Sequence, residues 1–304
     1  MTADHQRQVS APGDKPAGSG KEQGSALARQ IDRLALCVHP RAGRRPELSA
    51  GAASLALPRP SILVVAARAL AAGRLELDDV ALMMRYDSPG APQAVIATHE
   101  AAGILTPSGS GWTPISVLAD LARLVLRLQT EEAEALWEQS DLDLADLATE
   151  ARVHVEVALG HRAGFERPAL AQQVRLHTVL PDSHSGQLLG YLTELRYLRS
   201  DVHAACLARE GLGGPSARVL HRLWKSFAVP EGDRRFVDDL IDAGLASPGP
   251  TITAVGREAL NRVEAETDQL FGQQFESIAW DEQNRFLSSL QILPGEDPRP
   301  SMDR

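Results

Sequence analysis

The sequence predicts a mainly α-helical fold in which one pattern of short elements occurs twice, the second time incompletely, around a helical middle region. From Ser61 onward, apolar residues recur three and four positions apart almost throughout, the period of helices with one buried face. The segments suited to strands are short and lie beside two glycine-bearing stretches, EAAGILTPSGSGWTPI (Glu100–Ile115) and DLIDAGLASPGPTITAVGREAL (Asp239–Leu260). Both stretches run from a helix end through Ala-Gly, two apolar residues and a small polar loop to threonine and a further helix.

In the first copy, helices are expected over Ser61–Ala72 and Asp78–Tyr86, the second capped by Asp78 and stopped by Asp87-Ser88-Pro89-Gly90. A third helix opens at Ala91-Pro92, where proline suits the first turn, and ends at Gly103, the residue type favoured just past a helix end. Two extended pieces, Ile104–Thr106 and Trp112–Ile115, flank a Gly/Ser turn and can pair as a ribbon. Three helices, a tight helix-turn-helix and a two-stranded wing make a winged helix. A long helix follows, from about Pro114 to Gln139, with Val117, Leu121, Leu124, Val125 and Leu128 on one stripe. At about 1.5 Å per residue it would extend nearly 40 Å, a length that usually packs against a partner.

The second copy aligns without gaps over its helix. Val95–Leu105 matches Phe236–Ala246, Thr113 matches Thr253, and Leu121-Ala122-Arg123-Leu124 matches Leu260-Asn261-Arg262-Val263. It is incomplete, because AVPEG between the Pro215–Phe227 helix and the one from Asp233 leaves no room for a middle helix. The expected organisation is a disordered tail over 1–25, an N-terminal winged-helix domain over 26–139, a helical linker or ligand region over 140–212, a C-terminal winged-helix-like domain over 213–292 and a flexible tail over 293–304. The middle region holds helices at Leu142–Leu159 and Ser185–Arg209, joined by a loop around FERPAL and LPDSHSG.

Composition bounds the task. The chain has 304 residues, 43% hydrophobic and 23% charged, with a net charge of −9. That charge gives no global attraction to nucleic acid or anionic membranes, so either would need a local basic patch. Cys37 and Cys206 stand far apart with no metal-binding spacing, so a reducing cytoplasm is expected. The most apolar segment, Ser61–Gly73, carries Arg68 and is shorter than the roughly 20 residues a span requires.

The order of helix, turn, AAGILTPSGSGWTP and long helix resembles the MarR-like winged-helix regulators, as does TITAVGREALNRVEAETDQL, in which Thr-x-x-Gly-Arg opens a long helix. YLTELRYLRSDVHAACLAREGL and the module after it resemble an actinobacterial helix-turn-helix family. The first resemblance implies DNA reading by the helix that ends at Gly103, flanked by the wing. On that helix and its approach, Ser88, Gln93, Thr98 and His99 are the candidates for DNA contact, helped by Arg85. Arg41, Arg44 and Arg45 in HPRAGRRP form either a minor-groove arm or a solvated linker. DNA readers usually carry arginine or lysine on that helix, and this one has neither. The second copy offers Arg234 and Arg235 among five carboxylates, so no groove contact is expected there.

On the helix Ser185–Arg209, the residues Leu188, Leu192, Leu195, Val202 and Cys206 form one apolar stripe with Arg199 in its middle. A buried arginine must be paired. The favoured reading is an interhelix salt bridge with Glu150 or Glu156, and the other is a pocket for an anionic or polar ligand formed by Arg196, Arg199, His203 and Trp224. His154, His161, His177 and His184 are read as packing or surface residues. No catalytic motif or metal set is legible, so neither enzyme activity nor a cofactor is expected. The expected function is a DNA-binding transcriptional regulator, homodimeric through its long helices, with a small-molecule effector in the middle region. The alternative is a winged-helix-derived protein that binds a small molecule or a protein and no longer binds DNA.

Overall fold

The computed structural model describes residues 19–54, 74–162, 164–176 and 182–295. Among them the chain is mainly helical, with one two-stranded ribbon. The elements are α1 (Ser19–Gly43), α2 (Pro46–Ser54), α3 (Leu77–Met83), α4 (Ala91–Ala101), β1 (Leu105–Ser108), β2 (Gly111–Pro114), α5 (Ser116–Trp137), α6 (Leu144–Gly160) and α7 (Pro168–Leu176). They continue with α8 (His184–Arg209), α9 (Gly214–Trp224), a 3-10 turn (Glu231–Asp233), α10 (Arg234–Asp242), α11 (Ala254–Gln273) and α12 (Trp280–Ile292). The expected helix Ser61–Ala72 lies outside the described residues, as do residues 1–18, His177 and residues 296–304.

The molecule is built around α8. Leu188, Leu192, Leu195, Leu198, Val202 and Cys206 are fully buried along it, and each such leucine contributes about 1.5–3 kcal/mol of burial. The helix packs on α1, α5, α6, α7, α9 and α11. One core joins α1, α6 and the first half of α8 to Trp137, Phe271, Phe275, Phe286 and Leu290. A second lies beneath α3, α4, the ribbon and the first half of α5, which together make a first lobe. A third joins the second half of α8 to α9, α10 and α11. The boundary expected between residues 139 and 140 therefore cuts through the central core, and 140–212 is its middle rather than a linker.

Several expectations need correction. The chain is helical from Ser19, not disordered to residue 25. Leu27, Ile31, Leu34, Val38 and Ala42 are buried at helical spacing along α1, and this stripe meets α11 and α5. The segment placed in a loop after α6 contains α7. The stripe on α5 runs through Leu118, Leu121, Val125, Leu128 and Trp137, while Val117 faces solvent. That stripe packs on α1, α2 and α8 of the same chain.

Two glycines set the crossing of α1 and α11. A Cβ on Gly24 would overlap the Asp268 carbonyl oxygen, and one on Gly272 would overlap that of Gly20. The backbones touch because neither position carries a side chain.

The ribbon pairs Leu105 with Pro114 and Ser108 with Gly111. Gly109 (φ 62°) opens the two-residue loop and Ser110 has negative φ, the pattern of a hairpin turn with glycine at its first central position. Trp112 faces Pro107, which has no N–H to offer, and exchanges both backbone hydrogen bonds with Leu75 on its other side. In the C-terminal part, Ala246 and Ile252 form a single bridge between α10 and α11.

Two predictions follow from this packing. Gly24→Ala must push α1 off α11 and lower stability by about 1–3 kcal/mol, read as a lower urea midpoint; an unchanged midpoint would show that the crossing is loose. His154 is buried against Phe286, with ring centroids 4.2 Å apart, and shares a 2.8 Å hydrogen bond with the Glu150 carbonyl. Burial holds its pKa below the ordinary 6.5, and burial lowers His203 and His221 as well. The unfolded chain then binds more protons below that value, so stability is complete above about pH 6.5 and falls as pH drops through the depressed values. Thermal melts from neutral to acid pH should show this slope, and His154→Phe should flatten it.

Candidate functional site

Two regions follow from the expected site residues. The first is the exposed side of α4 with the ribbon. Gly90 (φ 85°) turns the chain into α4, Pro92 occupies its first turn, and Gly103 (φ 69°) closes it. Gln93 and Thr98 are exposed, the Thr98 hydroxyl donating to the Ala94 carbonyl at 2.8 Å, and Ser88 is half-buried before the helix. Trp112 of β2 donates its indole N–H to Glu100 at 3.2 Å, tying the ribbon to α4.

Other residues expected here point elsewhere. His99 is 1% exposed, and its Nδ1 lies 2.7 Å from the Val95 carbonyl, so it belongs to the core of the lobe and cannot meet a base edge. Arg85 points inward, donating to Asp201 at 3.0 Å and to the Ser200 carbonyl. Arg45 is held by Glu132, Glu47 and Glu131 beside α5, and the two hydrogen-bonded carboxylates raise its pKa. Arg41 sits half-buried in the last turn of α1, and Arg44 is exposed just beyond it. Arginines 41 to 45 thus finish a helix and begin the next, rather than forming an extended arm. No lysine or arginine occurs from Tyr86 to Ala122, so α4 and its ribbon bring no positive charge of their own.

The second region is a cavity of about 460 Å³ between α8, α9 and α11, closed on one side by Tyr86 just beyond α3. Its walls include His203 and Leu207 of α8, His221 and Trp224 of α9, and Leu260 and Glu264 of α11. The volume lies within the roughly 300–1,000 Å³ of small-molecule sites. A smaller hollow of about 230 Å³, lined by Arg196, Arg199 and Asp32, shares Tyr86 and His203 with it.

The four residues expected to make one ligand pocket are therefore divided. His203 and Trp224 line the large cavity, and Arg196 and Arg199 the small hollow. Arg199 pairs with Glu264 at 3.0 Å and Asp268 at 3.1 Å on α11. An interhelix salt bridge is present, but not to Glu150, which holds Arg285, nor to Glu156, which lies 3.8 Å from Arg152. Arg196 pairs with Asp32 of α1 at 2.9 Å. His203 places Nδ1 3.3 Å from the Thr267 hydroxyl and 3.8 Å from Glu264. Burial lowers its pKa against the pull of Glu264, and the nearby Arg199 charge lowers it further, so its imidazole is neutral at neutral pH. Tyr86, Asn261 and Phe227 also line the cavity; none carries a local signal for it, since tertiary packing brings them together.

The first lobe is docked against this region by buried charge. Asp201 of α8, 2% exposed, accepts the Ala169 and Leu170 amides at 3.1 and 2.9 Å as well as Arg85. It caps the first turn of α7, whose N–H groups have no helical partner, while joining α7 to the end of α3. Asp79 of α3 accepts Gln172 at 2.8 Å and Arg175 of α7. Arg218 of α9 bridges Asp87 and Asp233. A Cβ on Gly214 would overlap the Arg85 carbonyl oxygen, so the start of α9 lies directly on the end of α3.

Arg199→Met leaves Asp268, which is largely buried, and the more exposed Glu264 without their shared cation. It should lower stability by about 2 kcal/mol, with Glu264→Gln costing less because Asp268 still holds the guanidinium. Urea denaturation measures both, and equal, negligible losses would show that the bridge contributes nothing.

Among the described residues, no helix is long and apolar enough to cross a membrane. No curated protein and no solved structure matches the chain. A model of the Helix-turn-helix family matches residues 92–294, from α4 through the end of α12. That match covers more than half of the 304 residues, including α10 and nearly all of α4, and the chain belongs to the Helix-turn-helix family.

Proposed function

We propose that the chain is a DNA-binding transcriptional regulator of the MarR-like, winged-helix kind, with two winged-helix modules, the second incomplete, and a small-molecule site between them. Family membership supports the DNA-binding half of this reading. The observation that carries the ligand half is the composition of the 460 Å³ cavity: Tyr86 comes from the turn between α3 and α4, and Trp224 and Leu260 come from α9 and α11. A molecule seated there contacts both lobes, and can bias their relative placement to the extent that it binds one arrangement more tightly. In this reading α4 enters the groove with Gln93 and Thr98 as base-reading candidates, the ribbon lies on the flanking backbone, and Arg44 contacts phosphate. The long helices spend their apolar stripes within the chain, so a homodimer forms through another surface.

A second reading is favoured by the absence of lysine and arginine from Tyr86 to Ala122. Phosphate neutralisation supplies much of DNA affinity, and a helix with none of it suits a protein that binds a small molecule or a protein partner and leaves DNA alone.

Fluorescence anisotropy with a duplex from upstream of the chain's own gene separates the two. The regulator reading expects binding that weakens by at least about tenfold between roughly 50 and 200 mM salt. Gln93→Ala should cost a further tenfold or so against that duplex but not against a shuffled one. Binding that is absent, or indifferent to both salt and sequence, selects the second reading.

A further inference from the structure

Among the described residues, four helices end in the same way. At Gly103, Gly211, Gly244 and Ser226 a residue with positive φ donates its N–H three residues back, and the next residue donates five back: Ile104 to His99, Leu212 to Leu207, Leu245 to Leu240 and Phe227 to Arg222. In this motif the residue after the left-handed one is commonly apolar and folds onto the last helical turn. Ile104 and Leu212 do so, at 4% and 5% exposed, and Leu245 is half-buried.

The end of α9 departs twice. Its left-handed position is Ser226 (φ 56°), the one non-glycine residue with positive φ among those described. An L-residue there is strained, because its Cβ crowds the following carbonyl oxygen. Phe227, the residue so positioned, is 58% exposed and stands on the rim of the large cavity. The chain thus holds a strained turn and leaves the aromatic ring it places without a covering surface, directly beside an unfilled volume bounded by Trp224, Leu207 and Leu260.

The charged side chains around that volume are already engaged. Arg218 is taken by Asp87 and Asp233, and Glu264 by Arg199. Arg222 donates to the Ala228 carbonyl through two nitrogens, and Lys225 lies 4.1 Å over the Trp224 ring. A charged ligand would have to break one of these arrangements or bury its charge unpaired. A neutral one need only face uncharged polar groups of the lining such as Asn261 and the imidazole of His203.

We propose that this cavity binds a neutral, largely apolar aromatic molecule, packed beside Trp224 and covered by Phe227, with one polar group directed at Asn261 and His203. Phe227 then gains the apolar cover that Ile104 and Leu212 already have. This rests on the ligand-holding half of the proposed function and not on the DNA-binding half.

The test uses two dyes with the same ring system, phenylnaphthylamine, which is neutral, and anilinonaphthalene sulfonate, which is anionic. Titrated into the full chain without DNA, the neutral dye should saturate at one molecule per chain with quenching of tryptophan emission, and the sulfonate should bind at least about tenfold more weakly. Phe227→Ala should weaken the neutral dye about tenfold while leaving the melting temperature unchanged, since the ring is mostly exposed. Leu207→Trp, which fills the cavity, should abolish binding. Absence of saturable binding, equal affinity for the two dyes, or wild-type affinity in either variant overturns the proposal. Dye binding in a chain that ignores DNA would leave it standing while removing the regulator reading.

Discussion

The carboxylate of Asp201 is the point on which the arrangement of the lobes depends. It lies in the middle of the central helix α8, with its side chain excluded from solvent. Burial pushes its carboxyl up, and the Arg85 charge and the two α7 amides pull it back. These three donors supply what water would otherwise provide. Two of them fix the start of α7, and the third fixes the end of α3, so one buried acid orients the first lobe on the core. Asp79 and Arg218 repeat the device on either side, each joining an element of the first lobe to a later helix. Tyr86, which lines the cavity, directly follows Arg85, the residue held at Asp201.

The same docking accounts for where charge is spent. Arg45, Arg85, Arg196, Arg199 and Arg218 all serve contacts within the chain. In an acidic protein whose positive charge is nearly all arginine, few such groups are left to face a polyanion. Family membership and the bare α4 surface therefore pull in different directions, and binding to a nucleic acid would lean on exposed cations outside α4.

The features legible in the sequence were those with local causes. Gly103 and Gly244 mark helix ends because a left-handed residue is needed there, and both stand where expected. Thr106 pairs with Thr113 across a Gly/Ser turn, as hairpin chemistry requires. The buried leucines of α8 show the 3.6-residue period. Elements supported from a distance were missed. The first turn of α7 is capped by Asp201, about thirty residues ahead, and nothing near Pro168 announces it. The apolar period of α1 is present at Leu27, Ile31, Leu34 and Val38, but a Gly-rich start and Pro40 disguised it as tail and linker. For the site, the sequence shows that Arg199 needs a partner but not which one, and the partners lie on α11. His99 was misplaced because exposure on a short helix depends on which face the rest of the lobe covers.

The most direct test of the lobe junction is a double-mutant cycle between Arg85→Met and Asp201→Asn, with stability read by urea denaturation. If Asp201 orients the first lobe through Arg85, the double variant loses less than the sum of the single losses, by about 2 kcal/mol. Losses that simply add would show that the two groups are neighbours without coupling, and that the lobe is held by something else.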